Sequence, residues 1–412
     1  MHCDMRMPMT DAVASPPADD VRARKAVWIL IWAQSILGAQ MPAHFLLGGI
    51  VGKTLADNPA LATLPISMTV MGSMLTAPIM STIMGHWGRR TGFLIGTLFG
   101  ALSAALATYA ISEQSFELFC AASMMLGVYM SGHGFYRFAA VDLASSDYRP
   151  RAISWVMAGG LVAAILGPQL ASNFEDWLEP IPFAGAYQAL IFVNLIGVIP
   201  ILFLDIPRPP RRSEGGARGR PWAEILSDRK VVVAMLCAMV CYALMNLVMT
   251  STPLAMEACG FSLDATGYVV SIHVFLMFAP SFFTGGLIAK YGAERIMAIG
   301  LGCLAICCMV AVSGIAFLHF SVALGLLGIG WNFGFIGATS LLAAAHRPEE
   351  RARVQGLNDF LVFGLVTLAS FASGALMAEI GWAAVNLAML PALGVAALAL
   401  AWLVMRNRVQ AA

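Results

Sequence analysis

Two pairs of soft metal-binding side chains lie on neighbouring apolar stretches of this sequence. Met245 and Met249 form the first pair, and His273 and Met277 form the second. The residues of each pair are four positions apart, so a helix would present both side chains on one face, a turn apart. Thioether and imidazole groups are soft or borderline ligands, which suit copper far better than magnesium or calcium. The spacing therefore predicts a copper-binding site between two helices.

Two cysteines extend the first methionine pair towards the start of its stretch. Cys237 and Cys241 continue the four-residue spacing to Met245 and Met249, which would give a slanted row of sulfur atoms along one helix. Methionine is also a flexible filler of apolar interiors, so packing alone is the alternative explanation of this row. His273 favours the metal interpretation, because a histidine within a membrane is costly unless it faces a cavity or a partner.

The elements that must position these residues are membrane-spanning helices. Of the 412 residues, 59% are hydrophobic and 11% are charged, and the mean hydropathy is +0.79. Soluble domains carry roughly 25% charged residues. A net charge of +1 gives no reason to expect a nucleic-acid partner. Apolar runs of about 20 residues can cross a bilayer. We expect them, as spans 1 to 12, at 27–49, 60–84, 92–111, 116–140, 152–172, 185–205, 230–256, 264–289, 295–317, 319–344, 355–378 and 383–405.

The charged residues between the spans predict the orientation. Arg and Lys cluster before span 1 and in every second loop, whereas the alternate loops contain Lys53 and several acids. Basic loops remain in the cytoplasm, so we expect both termini there, in agreement with the even number of spans. The first apolar run is long enough to span and shows no cleavable signal peptide. We therefore expect a multi-pass monomer in a bacterial cytoplasmic (inner) membrane.

A long polar break divides the chain into two similar halves. Gly88 and Gly292 occupy matching loops 204 residues apart, and Arg149 and Arg351 occupy another matching pair 202 residues apart. Parallel six-span repeats are the design of the major facilitator superfamily, with a binding site between the halves near the midplane. The predicted parts are a disordered tail at 1–26, helical halves at 27–205 and 230–405, a linker at 206–229 and a tail at 406–412.

The loop after span 2 resembles the loop motif of that superfamily. Gly88, Arg89 and Arg90 match the core of the motif, whereas Gly85 replaces its acidic residue. In the superfamily this motif gates the cytoplasmic ends of the helices by charge pairing. The resemblance therefore implies a gating role for the three matching residues, and the alternative is that Arg89 and Arg90 only set the membrane topology. We expect Asp359, at the start of span 11, to belong to the same gate.

Arg137 is an intramembrane charge near the cytoplasmic end of span 4. We expect its long side chain to reach the interface, as arginines near helix ends commonly do. Pairing with Asp142, with Asp359 or with an anionic substrate is the alternative.

The chain as a whole resembles one branch of the superfamily, the CcoA-type copper importers, which supply copper for haem–copper oxidase assembly. Those proteins carry a Met-x-x-x-Met pair in span 7 and a His-x-x-x-Met pair in span 8, and both pairs occur here. The cysteines that precede the Met pair also resemble that group. Near relatives in the same branch resemble riboflavin transporters, so membership of the branch does not identify the substrate. The two Met and His pairs favour copper.

We therefore predict an all-α integral membrane protein with 12 transmembrane helices in two six-helix halves, which imports copper into the cytoplasm by secondary transport. Copper is then the transported partner rather than a prosthetic group, and no cofactor is expected. The lipid bilayer and a cytoplasmic copper chaperone are the other expected partners. Because no P-loop and no convincing catalytic triad occur in the sequence, we expect neither ATP-driven pumping nor enzymatic activity.

Two alternatives remain open. The first is a carrier for an organic solute such as riboflavin, or a drug exporter, in which Trp331, Asn332, Phe333 and Phe335 of span 10 would matter most. The second is a membrane copper sensor or binding platform that does not move the ion.

Overall fold

The structure is a computed structural model that describes residues 19–58, 61, 64–207 and 219–411. Within these residues, twelve helical segments are long and apolar enough to cross a membrane. Their bounds are Asp20–Leu55, Leu64–Trp87, Arg89–Ser112, Phe116–Ala139, Arg149–Asn173, Ala184–Leu202, Arg229–Ala258, Ala265–Tyr291, Ala293–Ser313, Phe317–Ala345, Pro348–Ser373 and Trp382–Asn407. The predicted all-α fold with twelve spans is therefore confirmed, and the span numbers are kept for these segments.

Several spans are built from more than one helix. Span 1 comprises Asp20–Leu37 and Gln40–Leu55, span 4 comprises Phe116–Gly134 and Tyr136–Ala139, span 8 comprises Leu263–Phe278 and Ser281–Tyr291, and span 12 comprises Trp382–Leu387 and Met389–Ala411. Span 11 begins with a 3-10 turn at Pro348–Glu350 and continues as the helix Arg351–Glu379.

The helices extend into segments that the sequence analysis assigned to tails and linker. Span 1 begins at Asp20 because Asp19 caps it by accepting a hydrogen bond from the Arg22 backbone N–H at 3.0 Å. Residues 20–26 are therefore helical, the linker contains the helix Trp222–Ser227, and the last helix runs to Ala411. Residues 1–18 and 208–218 of the predicted tail and linker lie outside the described residues.

The duplicated architecture is visible at matching glycines. Gly88 has a φ of 90° and Gly292 a φ of 88°, and each forms the N-cap of the next span. Only glycine adopts this backbone conformation without a steric cost. The same sharp turn therefore connects spans 2 and 3 in one half and spans 8 and 9 in the other.

The two six-helix halves meet along two pairs of spans. Span 2 packs along span 11, and span 5 packs along span 8. The Ser81 hydroxyl donates to the Ala352 carbonyl oxygen at 2.5 Å across the first pair. Across the second pair, the Gly285 backbone N–H donates to Ser154 Oγ at 2.9 Å. Small side chains at these positions let the backbones approach closely.

The basic loops and both ends of the described chain lie at one end of the bundle, which we call the basic end. Arg22, near the start of span 1, pairs with Asp205 after span 6 at 2.8 Å. The guanidinium of Arg229, at the start of span 7, lies 5.2 Å from the ring centroid of Trp402 in span 12. The assignment of the basic end to the cytoplasm stays a prediction.

Buried ion pairs close the basic end between the halves. Asp142, which follows span 4, lies 2.9 Å from Arg89 Nε and 3.0 Å from an Arg351 nitrogen at the start of span 11. Arg89 also donates to Gln355 Oε1 of span 11 at 2.7 Å. Burial by itself would raise the pKa of Asp142, but the Arg351 and Arg89 guanidinium groups hold it below its usual value. Asp142 thus supplies the acid that the loop motif lacks at Gly85.

The other residues of the predicted gate occupy different places. Gly88 forms the turn before span 3, while the Arg90 side chain is exposed and joins none of the ion pairs between described residues. Asp359 lies deeper than the closure formed by Asp142, as described below. A Cβ on Gly85 would come within 2.9 Å of Ala352 Cβ. A longer acidic side chain there would therefore push spans 2 and 11 apart.

Arg220 fastens the end of the linker to the same closure. Its guanidinium lies 2.8 Å from Glu350 in the turn that begins span 11, and 3.0 Å from Asp228 before span 7. The guanidinium of Arg353 lies 4.3 Å from the ring centroid of Trp222 in the linker helix. These contacts fix the start of span 11, from which Arg351 reaches Asp142.

His346 gives the basic end an expected pH dependence. This half-buried residue lies with its Nε2 3.3 Å from Gln355 Nε2, close to Arg351, Arg89 and Asp142. Burial, helped by the Arg351 charge, lowers the pKa of His346 to about 4. An exposed histidine titrates near pH 6.5, so opening that exposes His346 raises its pKa and binds a proton. Closure should therefore weaken as the pH falls from about 6.5 towards 4.

The expected change is measurable as a distance between spin labels at two exposed positions of the basic end, His86 and Glu349, with the native cysteines replaced. Lowering the pH should lengthen this distance. His346→Gln keeps a polar group but cannot bind a proton, so its distance should not change with pH. An equal pH response in His346→Gln would show that another group is responsible.

Candidate functional site

A buried ion pair between the halves forms the centre of the candidate site. Arg137 of span 4 donates to Asp359 of span 11, and the two side chains are 6% and 0% exposed. Arg137 also donates to the Gly134 carbonyl at 2.8 Å, and the Asn358 amide donates to Asp359 at 2.8 Å. The expectation that Arg137 reaches the interface is therefore wrong. A charge at this depth needs an opposite charge, and span 11 provides one.

Four aromatic side chains, which we call the aromatic box, lie beside this ion pair and touch it through Phe335. They are Tyr242 of span 7, Trp331 and Phe335 of span 10, and Phe363 of span 11. Trp331 and Phe335 stack with centroids 5.1 Å apart and an interplanar angle of 18°. Tyr242 meets Trp331, Phe335 and Phe363 edge-on at 5.6, 5.2 and 6.1 Å. The guanidinium of Arg137 lies 4.8 Å from the Phe335 centroid, so the box and the ion pair are in direct contact.

Several buried polar atoms around the box have no hydrogen-bond partner among the described residues. They are Arg137 Nε and Asp359 Oδ2 of the ion pair, Asn358 Oδ1 next to it in the chain, and Trp331 Nε1 of the box. Each such atom costs about 1–3 kcal/mol if nothing else binds it. A cluster of such atoms is typical of a site that receives water or a polar ligand.

The box contains two of the four span 10 residues proposed for an organic solute, Trp331 and Phe335. Asn332 is turned away from the box, because its amide donates to the Met277 carbonyl at 2.8 Å and to Ser281 Oγ at 2.7 Å, joining span 10 to span 8. Phe333 is partly buried and belongs to none of the ring contacts of the box. Within one turn of span 10, Trp331 and Phe335 therefore face the aromatic box, while Asn332 faces span 8.

Tyr242 and Phe363 were not predicted as site residues from the sequence, whereas Asp359 was expected in the gate and its pairing with Arg137 was the alternative to an arginine at the interface. The available signal was the pair of opposite charges placed inside predicted spans 4 and 11, because such charges usually pair with each other.

The residues of the predicted copper site lie on spans 7 and 8. His273 is 0% exposed, and its Nδ1 lies 3.0 Å from the Leu324 carbonyl oxygen of span 10. Its Nε2 is buried and has no partner among the described residues. Met245 is buried, whereas Met249 and Met277 are partly buried. That these side chains share an ion stays a prediction.

The two cysteines of the sulfur row point to different neighbours. Cys237 Sγ lies 4.0 Å from the Ala396 carbonyl oxygen of span 12. Cys241 packs against Gly334 of span 10, where a Cβ would approach its sulfur to 2.3 Å. Across the described ranges, no group of three or more His, Cys, Asp or Glu side chains is arranged to hold a metal ion.

Comparison with known proteins agrees with the fold. A protein described as riboflavin transporter RfnT, from Brucella anthropi, is 41% identical to this chain over 401 residues, which are 97% of this chain and 98% of the relative. The uncharacterized MFS-type transporter YddS of Bacillus subtilis is 27% identical over 383 residues, or 88% and 86% of the two chains.

Solved structures share the architecture at low sequence identity. The human organic anion transporter MFSD10 matches with a TM-score of 0.73 and 16% identity, over 92% of this chain and 99% of its own. The fucose:proton symporter FucP of E. coli matches with a TM-score of 0.72 and 14% identity, over 93% and 98%. At these identities the likeness concerns the fold alone.

The sequence profile of the Major Facilitator Superfamily matches residues 26–254 and 234–412 of this chain. With twelve spans, two halves that meet around a buried site, and full-length relatives that are transporters, this chain is a multi-pass secondary transporter and belongs to the Major Facilitator Superfamily.

Proposed function

We propose that this chain imports riboflavin, or an organic solute with a comparable fused aromatic ring, into the cytoplasm. The observation that carries the proposal is the aromatic box in contact with the buried Arg137–Asp359 pair between the two halves. The similarity to riboflavin transporter RfnT over nearly the full length of both chains supports it.

The chemistry of the box suits such a ring. The ring system of riboflavin is flat, with apolar faces and a rim of carbonyl oxygens, ring nitrogens and one imide N–H. Trp331 and Phe335 stack on each other with nearly parallel rings, and a flat ring would extend or replace this stack. Trp331 Nε1 is an unused donor and Asn358 Oδ1 an unused acceptor, and both suit the polar rim. Copper needs none of these groups, so their assembly favours the organic solute.

The closure pattern suggests how transport proceeds in this proposal. With the basic loops in the cytoplasm, the closed end is the cytoplasmic one and the solute enters from outside. Release requires Arg137 and Asp359 to separate, because they belong to different halves. The polar rim of the solute offers a replacement partner to each charge, which lowers the cost of leaving either one unpaired. The halves then rock around the occupied site.

Trp331→Leu should raise the KM for riboflavin uptake about tenfold or more, because stacking on one aromatic side chain contributes about 1–3 kcal/mol. Trp331 Nε1 has no partner among the described residues, so the change removes no hydrogen bond there. The measurement is uptake of radiolabelled riboflavin by bacterial cells that require it and lack their own transporter. Phe333→Leu, two positions along span 10, is the matched control and should transport normally. Normal uptake by Trp331→Leu at normal abundance would refute the proposed site.

Asp359→Asn should abolish uptake and destabilise the protein by about 3 kcal/mol, because it leaves the Arg137 charge buried without its partner. Thermal unfolding of the purified protein measures the loss. Combining Arg137→Gln with Asp359→Asn removes both charges, so it should restore most of the stability without restoring uptake. Wild-type uptake by the double variant would mean that the pair serves packing only.

Copper import is the second candidate, and one observation favours it. His273 holds its Nδ1 against the Leu324 carbonyl oxygen while its buried Nε2 lacks a partner among the described residues. Metal-binding histidines commonly show this arrangement, in which the second nitrogen donates to a carbonyl. The same arrangement also suits a histidine that serves packing.

His273→Gln should leave riboflavin uptake unchanged, because His273 lies outside the aromatic box. Radioactive copper accumulation, measured in the same cells, separates the two candidates. The second candidate would replace the first if the wild type accumulated copper but no riboflavin, and if both His273→Gln and Met245→Leu lost copper accumulation at normal abundance.

A further inference from the structure

A groove opens at the basic end where span 5 of one half crosses span 8 of the other. It encloses about 140 Å³. Its lining residues are Arg151, Ser154 and Trp155 of span 5, and Ser281, Phe282, Gly285 and Gly286 of span 8. The groove is separate from the aromatic box and from the Asp142 closure, and transport as proposed above does not use it.

Small residues create the groove and one hydroxyl holds it together. Ser154 Oγ donates to the Ser281 carbonyl and accepts from the Gly285 backbone N–H at 2.9 Å. A Cβ at Gly285 would come within 2.5 Å of the Pro150 carbonyl, so the two backbones are in close contact there. A Cβ at Gly286 would meet nothing within 4 Å, and this is the open side of the groove. The walls meet only while the halves are in contact at the basic end.

The outer wall faces the surroundings of the bundle. Trp155 is 39% exposed and Phe282 51% exposed, and their rings meet edge-on with centroids 5.7 Å apart. Both lie on spans that cross the membrane, Trp155 six residues and Phe282 nine residues from the basic ends of those spans. Tryptophan is enriched where headgroups meet acyl chains, and phenylalanine suits the acyl chains just below. The groove therefore opens towards lipid.

Arg151 supplies an uncommitted charge at the mouth of the groove. Its side chain is exposed and forms no hydrogen bond or ion pair with any described residue. The neighbouring arginines are engaged, since Arg149 donates to the Ala144 carbonyl and Arg351 pairs with Asp142. A guanidinium without an acid beside it, at the headgroup level, suits a phosphate group.

From this geometry we propose that the groove binds an anionic phospholipid, with its phosphate on Arg151 and its glycerol and first acyl carbons against Trp155 and Phe282. The lipid touches both halves, so it binds the arrangement in which the basic end is closed better than an arrangement in which spans 5 and 8 separate. Anionic lipid therefore shifts the population of the protein towards closure at this end.

Native mass spectrometry of the purified full-length protein, exchanged into mixed phosphatidylglycerol and phosphatidylcholine, tests the binding. The wild type should retain phosphatidylglycerol over phosphatidylcholine about fivefold, which corresponds to ~1 kcal/mol. Arg151→Gln should lose the preference, and Trp155→Ala should retain less of either lipid. Lys290→Gln, an equal loss of charge at an exposed position of span 8, should behave as the wild type. An undiminished preference in Arg151→Gln would overturn the assignment.

The distance between spin labels at His86 and Glu349 tests whether anionic lipid favours closure of the basic end. Vesicles with phosphatidylglycerol should shorten this distance relative to pure phosphatidylcholine in the wild type and in Lys290→Gln, but not in Arg151→Gln. If inorganic phosphate displaces the retained lipid or produces the same shortening, the groove is a site for free phosphate and the lipid assignment falls. None of these measurements uses a transported solute, so they stand independently of the proposed function.

Discussion

The arrangement of the two halves depends on the ion pair between Arg137 and Asp359. Both side chains are almost completely buried, so neither charge is solvated by water and each needs the other. Because one residue comes from span 4 and the other from span 11, satisfying these charges means bringing the halves together. The pair is nevertheless incompletely satisfied, since Arg137 Nε and Asp359 Oδ2 have no partner within the described residues. The ion pair therefore stabilises the arrangement in which the halves are in contact, and it leaves polar atoms to which a ligand can bind.

Closure continues in layers from this pair towards the basic end. Asp142 joins Arg89 of one half to Arg351 of the other, and Arg351 follows directly on the turn that Arg220 holds through Glu350. The linker thus takes part in the same closure. The Arg137–Asp359 layer is almost fully buried, whereas the Arg351 side chain in the middle layer is 29% exposed. Conditions in the adjoining compartment therefore reach the outer layers before the inner one.

The rotation of span 7 decides which chemistry faces the site. Tyr242 points to the aromatic box, while its neighbour Cys241 points to Gly334 of span 10. Adjacent residues on a helix differ by about 100° in direction, so Cys241 and Tyr242 cannot face the same neighbour. The same division occurs in span 10, where Trp331 stacks in the box and Asn332 bonds to span 8. If either helix were rotated by about 100°, the same residues at the same spacing would place a different set of side chains around the buried ion pair.

The sequence by itself determined the membrane location, the twelve spans and the duplication. These follow from local properties: the length of an apolar run sets a span, and a glycine with positive φ sets the matching turns at Gly88 and Gly292. Only the tertiary structure decided which charges meet. Arg137 and Asp359 are 222 residues apart in the chain, and Asp142 was one of several possible partners for more than one arginine. Composition and spacing are the same for every possible pairing, whereas the burial that makes one pairing obligatory exists only after the helices have packed.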